Sequence, residues 1–174
     1  AVAAPGQTRE EQIAPEKIVE AIAAHPECSR FTVVMAGDIG FYSGTKKLLP
    51  LLSGCDVTLE PGISSLVTLC AKLGTSYEDV TPVSLHGRDW DIARELRRHK
   101  RIFALVGGEK GMENLCRTLV DAGLAEAKVS VGEALGYPQE KITVGTAQAL
   151  SERTFHKLSV ALIEWAGETV VTQG

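Results

Sequence analysis

The sequence predicts an α/β protein of two domains with mainly parallel sheets. Three observations predict it. Short β-branched apolar runs alternate with amphipathic stretches of helical period along the 174 residues. Four of those runs open into a glycine-bearing loop, the place where an open α/β sheet meets a ligand. The turn-rich segment "LGTSYEDVTP" (73–82) divides the chain into halves of similar size, giving an N-terminal domain over 1–77 and a C-terminal domain over 78–174.

The elements follow in order. Pro15 starts a helix in "PEKIVEAIAAHP", where Ile18, Val19 and Ile22 share a face and Pro26 closes the segment. "RFTVVMA" (30–36) is apolar on both faces and reads as a buried strand. "TKKLLPLL" reads as a helix limited by Pro50, and "CDVTLE" as the next strand. "PGISSLVTLCAKLG" turns into a helix stopped by Gly74. In the second half "VTPVSL" (80–85), "RIFALV" (101–106), "AKVSVGE" and "KLSVALIEW" (157–165) read as strands. Between them, "RDWDIARELRRHK" and "GMENLCRTLVDAG" read as helices, the second ending at Gly123. Right-handed crossovers are expected to join the strands.

Composition narrows the function classes. A formal net charge of −4 disfavours a nucleic-acid binder working by bulk electrostatics. The apolar runs are far shorter than the ~20 residues of a membrane helix, and no signal-peptide order opens the chain. Cys28, Cys55, Cys70 and Cys116 have no C-x-x-C spacing and read as free thiols, which places the protein in a reducing cytoplasm. No metal-ligand spacing is present, and the histidines are scattered.

The loop "VVMAGDIGFYSG" (33–44) holds Gly37, Gly40 and Gly44 around Asp38. It is not a P-loop: Gly40 and Gly44 are one residue too close, and Thr45-Lys46 stands in reverse order. No G-x-G fingerprint occurs, and Asp38 repels a bare pyrophosphate. A carboxylate among bare peptide groups suits a ligand with hydroxyls, an amine or a positive centre, and S-adenosylmethionine has all three. Equally, the glycines supply a tight turn and Asp38 caps the next helix. In "EPGISS", Ser64 and Ser65 stand at a helix start, facing a ligand or only capping the helix. "SLHGRDW" sets His86 and Arg88 after a strand, before Asp89 caps the next helix. Arg88 grips a carboxylate bidentately or pairs on the surface. "LVGGEKG" is the fourth such loop, and "RRHKR" reads as a solvated helix end, less readily as the path of an anionic substrate.

In this order "GDIGFYSG", "PGISS", "VSLHGR" and "GEALGYPQEKITVGT" resemble the tetrapyrrole methylase family, in particular its cobalamin-pathway branch, from about Phe31 to Trp165. The resemblance implies two α/β domains with S-adenosylmethionine in the cleft between them, in a homodimer. It implies that Ala36, Gly37, Asp38, Phe41, Ser64 and Ser65 line the cofactor, with Val106 and Gly136 from the second domain. Arg88 and Lys46 are the candidates for gripping a cobalt-precorrin, whose cobalt arrives inside the substrate. Asp38 and His86 are the candidate bases if a ring proton must leave. A separate C15-methyltransferase and decarboxylase partner is implied by relatives in which it is fused. The family's opening strand and G-x-G-P-G loop have no match in "AVAAPGQTREEQ" and are expected to lie outside this sequence. The expected chemistry is in-line methyl transfer to a ring carbon, resting mostly on positioning, worth ~7–11 kcal/mol for a well-aligned pair. Other readings are a superfamily enzyme with a different substrate and a non-catalytic α/β binding module.

Overall fold

The structure, a computed structural model, describes residues 7, 9–85, 90–108 and 111–167. The chain divides into two compact units, Ala1–Ser64 and Ser65–Gly174.

Among its described residues, the N-terminal unit is regular only where it is helical. Pro15 occupies the first turn of α1 (Pro15–Ala23), where its fixed φ suits a helix and its missing N–H costs nothing. The helix α2 (Thr45–Leu48) tightens into a 3₁₀ turn over Leu49–Leu52. Pro50 sits in that turn and withholds the donor that a longer α-helix needs. The strands expected over 30–36 and 55–60 do not form. Residues 31–35 and 56–60 run without bend or turn, but they join no ladder. A strand takes its hydrogen bonds from a neighbour, so β-branched composition alone cannot make one. Nor is the first segment buried: Phe31 is 44% exposed and Val34 69%.

In the C-terminal unit the helices end as their residues dictate. After α3 (Ser65–Leu73), Gly74 takes φ +64° and the Thr75 N–H reaches the Cys70 carbonyl at 3.0 Å. After α5 (Gly111–Asp121), Gly123 takes φ +76° and Leu124 N–H reaches the Leu119 carbonyl at 2.8 Å. Both are Schellman closures, which need a residue at ease with positive φ. The helix α4 (Ile92–His99) starts later than expected. Its cap is Asp91, whose Oδ1 accepts the Arg94 N–H at 2.9 Å. Asp89, the expected cap, lies outside the described residues.

Among the described residues five strands form one sheet: β1 (Thr81–Ser84), β2 (Arg101–Leu105), β3 (Lys128–Glu133), β4 (Lys141–Thr146) and β5 (Ser159–Glu164), in the order β1-β2-β5-β3-β4. Of the pairs these five strands make, β1 with β2 is parallel, joined across α4, and the other three are antiparallel. This corrects the expectation of mainly parallel sheets. The link from β3 to β4 is too short for a parallel crossover, which takes a dozen residues or more. The strand β5 then returns past α6 (Ala147–Leu150) to fill the place between β2 and β3. The sequence reading did not include β4.

Period-2 alternation sends the strand side chains to two faces. Ile102, Ala104, Val129, Val131, Ala161 and Ile163 pack in one cluster with Leu96 of α4, Leu115 and Leu119 of α5 and Leu150 of α6. On the other face Phe103 and Leu162 are fully buried, and α3 packs on β5 there, with Leu69 close to Gly132. At one end of the sheet Arg101, Glu164 and Lys128 form a ladder of alternating charge across β2, β5 and β3. No helix among the described residues is long and apolar enough to cross a membrane.

Burial separates the thiols. It pushes Cys116 up to about 11, and it pushes Cys70 upward despite the nearby Arg101. At mildly alkaline pH a disulfide reagent should therefore titrate Cys28 and Cys55 rapidly, and Cys70 and Cys116 only in denaturant. Fast labelling of Cys116 in the native protein would contradict the packing of α5.

Candidate functional site

Two loops of the N-terminal unit are held against each other by backbone contact. Gly37 takes φ +75° at the end of the first apolar segment. A Cβ placed on Gly62 would lie 2.2 Å from the Gly37 carbonyl oxygen, so only glycine permits this approach. Asp38 secures it. Its Oδ1 accepts the Gly40 N–H at 2.8 Å and its Oδ2 accepts the Gly62 N–H at 3.2 Å. The turn closes through the Phe41 N–H on the Asp38 carbonyl at 3.2 Å. Asp38 is therefore no helix cap: α2 begins after Gly44 without a side-chain cap bond. Ala36, Gly37 and Gly40 are exposed and carry little or no side chain, so the loop presents its peptide groups to solvent. Phe41 and Tyr42 stack edge to face, with ring centroids 5.1 Å apart. Ser64 is buried, Ser65 opens α3, and Lys46 is exposed on α2.

The C-terminal unit gathers its candidate residues at one sheet edge. The strand β5 is antiparallel to both β2 and β3, and β1 is parallel to β2, so β1, β2 and β3 point their carboxyl ends the same way. Val106 is buried just past β2. Glu133 ends β3; its Oε1 accepts the His156 N–H at 2.9 Å, while Oε2 has no hydrogen bond among the described residues and lies 3.9 Å from Lys141 Nζ. The exposed Gly136 follows with φ +81°. Its N–H donates to Glu140 Oε2 at 2.8 Å, and Glu140 Oε1 meets Lys72 Nζ of α3 at 2.6 Å. The Lys72 ammonium, then the Gly136 amide, hold the Glu140 carboxyl below its ordinary value.

Ala36, Gly37, Asp38 and Phe41 thus share a neighbourhood with the loop that leads through Gly62 to Ser64, and Val106 and Gly136 share a sheet edge. His86 and Arg88 lie outside the described residues. Among the described residues no group of three or more His, Cys, Asp or Glu is placed to hold a metal ion. Sequence reasoning missed Gly62 as a contact glycine and Glu140 as the clamp of the 134–140 loop. The signal for Glu140 was a carboxylate four residues after a glycine in a tight hairpin; the role of Gly62 left no local signal, because its partner is 25 residues away.

A family model of tetrapyrrole (corrin/porphyrin) methylases matches residues 2–151. A precorrin-6Y C(5,15)-methyltransferase (decarboxylating) from Sinorhizobium sp. is 30% identical over 152 residues, 87% of this chain and 36% of that protein. A cobalt-precorrin-7 C(5)-methyltransferase from Salmonella typhimurium is 29% identical over 110 residues, 63% of this chain and 54% of that protein. The chain thus spans about a third to a half of these relatives. Among solved structures, uroporphyrin-III C-methyl transferase from Thermus thermophilus, complexed with S-adenyl homocysteine, shares the fold at a TM-score of 0.65 and 17% identity. The likeness covers 86% of this chain and 72% of that one.

Gly62→Ala should destabilise the chain by about 1–3 kcal/mol, since neither backbone can retreat from the new Cβ. Gly54→Ala, whose Cβ meets nothing within 4 Å, should stay within about 0.5 kcal/mol of wild type. Urea midpoints compare the two, and equal midpoints would refute the contact. The depressed Glu140 carboxyl stabilises the fold fully above its ordinary 4.5, and that contribution is lost as pH falls through the lower folded value. The Gly136 amide resonance should therefore titrate below 4.5 in wild type and lose that transition in Glu140→Gln.

Proposed function

The chain belongs to the tetrapyrrole (corrin/porphyrin) methylase family, and from that premise we propose that it transfers a methyl group from S-adenosylmethionine to C5 of cobalt-precorrin-7 in cobalamin biosynthesis. The observation behind this reading is the Asp38–Gly62 tie, which turns two separate sequence motifs into one polar, backbone-lined surface. That surface fits the cofactor: bare peptide groups at Ala36, Gly37 and Gly40 suit its hydroxyls and amine, and a carboxylate stands beside them. Two relatives named for C5 methylation support the choice of ring carbon.

In this reading Ala36, Gly37, Asp38, Phe41, Ser64, Ser65, Val106 and Gly136 hold S-adenosylmethionine. When bound, the cofactor supplies an electrophilic methyl on a sulfonium. Both Asp38 oxygens are already engaged by backbone amides, so Asp38 fixes the loop shape and offers its remaining lone pairs to the cofactor. Removal of a ring proton falls to His86, and Arg88 and Lys46 take the substrate carboxylates. Catalysis by positioning asks for no nucleophile from the chain. The proposal includes a homodimer in the cytoplasm and a separate C15-methyltransferase/decarboxylase partner. The exposed free thiols of Cys28 and Cys55 favour that compartment. The division into an N-terminal domain to residue 77 and a C-terminal domain from 78 belongs to the same reading.

Incubation with S-adenosylmethionine and cobalt-precorrin-7 should give a product one methyl heavier by mass spectrometry, with the new carbon at C5 by NMR. Methylation of a different precorrin would replace the substrate assignment. Failure to bind S-adenosylhomocysteine in calorimetry would leave a non-catalytic binding module. Asp38→Ala should weaken S-adenosylhomocysteine by about tenfold, the loss of roughly one charge-assisted hydrogen bond. Arg88→Ala should raise the tetrapyrrole KM by about as much and leave that affinity unchanged.

A further inference from the structure

The helix α3 meets the loop after β3 at two points. Leu69 and Leu135 converge on Gly132 and fill the space around the place a Cβ would take, their methyl carbons 3.0 to 3.1 Å from it. Three residues after Leu69, and so on the same face of the helix, Lys72 Nζ reaches Glu140 Oε1 at 2.6 Å. Between these points residues 136–139 are exposed. The Glu140 side chain folds back across them, and its Oε2 accepts the Gly136 N–H at 2.8 Å. Two turn bonds also shape the loop, Tyr137 N–H to the Ala134 carbonyl and Glu140 N–H to the Tyr137 carbonyl, both at 3.0 Å. Neither engages the Gly136 N–H, which Glu140 alone holds among the described residues.

We propose that Glu140 and Lys72 are positioning residues for the cofactor: they orient the Gly136 peptide toward S-adenosylmethionine and fasten it to the helix that begins at Ser65. The inference rests on the methyl-transfer reading, in which Gly136 and Ser65 both touch the cofactor. Glu140 acts through Gly136 and not by a contact of its own, since each of its oxygens is already engaged. With its N–H turned to Glu140, Gly136 meets a ligand through its carbonyl, which accepts no hydrogen bond among the described residues. That acceptor suits a hydroxyl or amine of the cofactor. A glycine at φ +81° in an exposed loop is otherwise free to take several backbone shapes, so ordering it beforehand lowers the entropy lost on binding. Lys72 completes the arrangement by fixing the carboxylate that does the ordering. The ion pair is partly exposed and adds little to global stability, which separates this role from a merely structural one.

The test is calorimetry of S-adenosylhomocysteine binding to the whole chain at neutral pH, with urea midpoints measured on the same samples. Glu140→Ala should weaken binding by about tenfold, and Lys72→Met, which leaves the Gly136 bond in place, by about threefold. Glu140→Gln keeps an oxygen for the Gly136 N–H and loses only the ion pair, so it should match Lys72→Met and recover part of the loss seen in Glu140→Ala. Lys72→Met combined with Glu140→Ala should bind no more weakly than Glu140→Ala alone, because both act through one peptide. The midpoints should stay close to wild type throughout. Wild-type affinity in Glu140→Ala, Glu140→Gln as weak as Glu140→Ala, or affinities that fall only in step with the midpoints would overturn the proposal. Absence of binding by the wild-type chain would instead overturn the methyl-transfer reading, and this inference with it.

Discussion

The C-terminal unit depends on β5 standing between β2 and β3, antiparallel to both. Its Ala161, Leu162 and Ile163 are wholly buried, so it is paired on both edges and covered on both faces. Without that strand the β1-α4-β2 crossover and the β3-β4 hairpin would be two small sheets, each too narrow to be stable alone. With it, β1, β2 and β3 present their carboxyl ends at one edge, and the loops carrying Val106 and Gly136 follow from there. The same placement sets Arg101, Glu164 and Lys128 side by side at the far end.

In the N-terminal unit the corresponding constraint is smaller and more local. Two backbones touch at Gly37 and Gly62, and a single carboxylate binds an amide on each side of the contact. The geometry leaves no room for a side chain at residue 62, which is why a motif that reads as a simple turn holds a glycine at that position. It also shifts the meaning of Asp38. A residue open to being a helix cap, a cofactor ligand or a base is first of all the tie that gives the loop its shape. Beyond the tie the two segments run exposed and without a ladder partner.

The lesson for reading such a sequence lies in which interactions are local. The ends of α3 and α5 were legible at Gly74 and Gly123, because a Schellman closure is decided within six residues. The start of α1 was legible at Pro15 for the same reason. The β4 strand was not: "KITVGT" is a strand because β3 stands across the hairpin from it. The segments 30–36 and 55–60 carry strand composition as strong as that of β2, yet no ladder reaches them. The cap of α4 fell on Asp91, with Asp89 two residues earlier an equally plausible letter. Glu133 and Glu140 gave little sign of their roles, since their partners His156 and Lys72 come from distant parts of the chain.

By itself, the sequence determined the alternation of elements, the helix ends, the glycine loops and, through motifs kept in order, the family. Those properties rest on short-range sterics and on letters that survive as letters. Only the tertiary structure decided the mixed sheet and its strand order, the contact that makes Gly62 obligatory, and the double duty of Asp38. Each of these is a pairing between residues far apart in the chain, and whether such a pair forms depends on loop closure and on competing partners. Composition records the preference of each residue, and the fold selects which of those preferences find a partner.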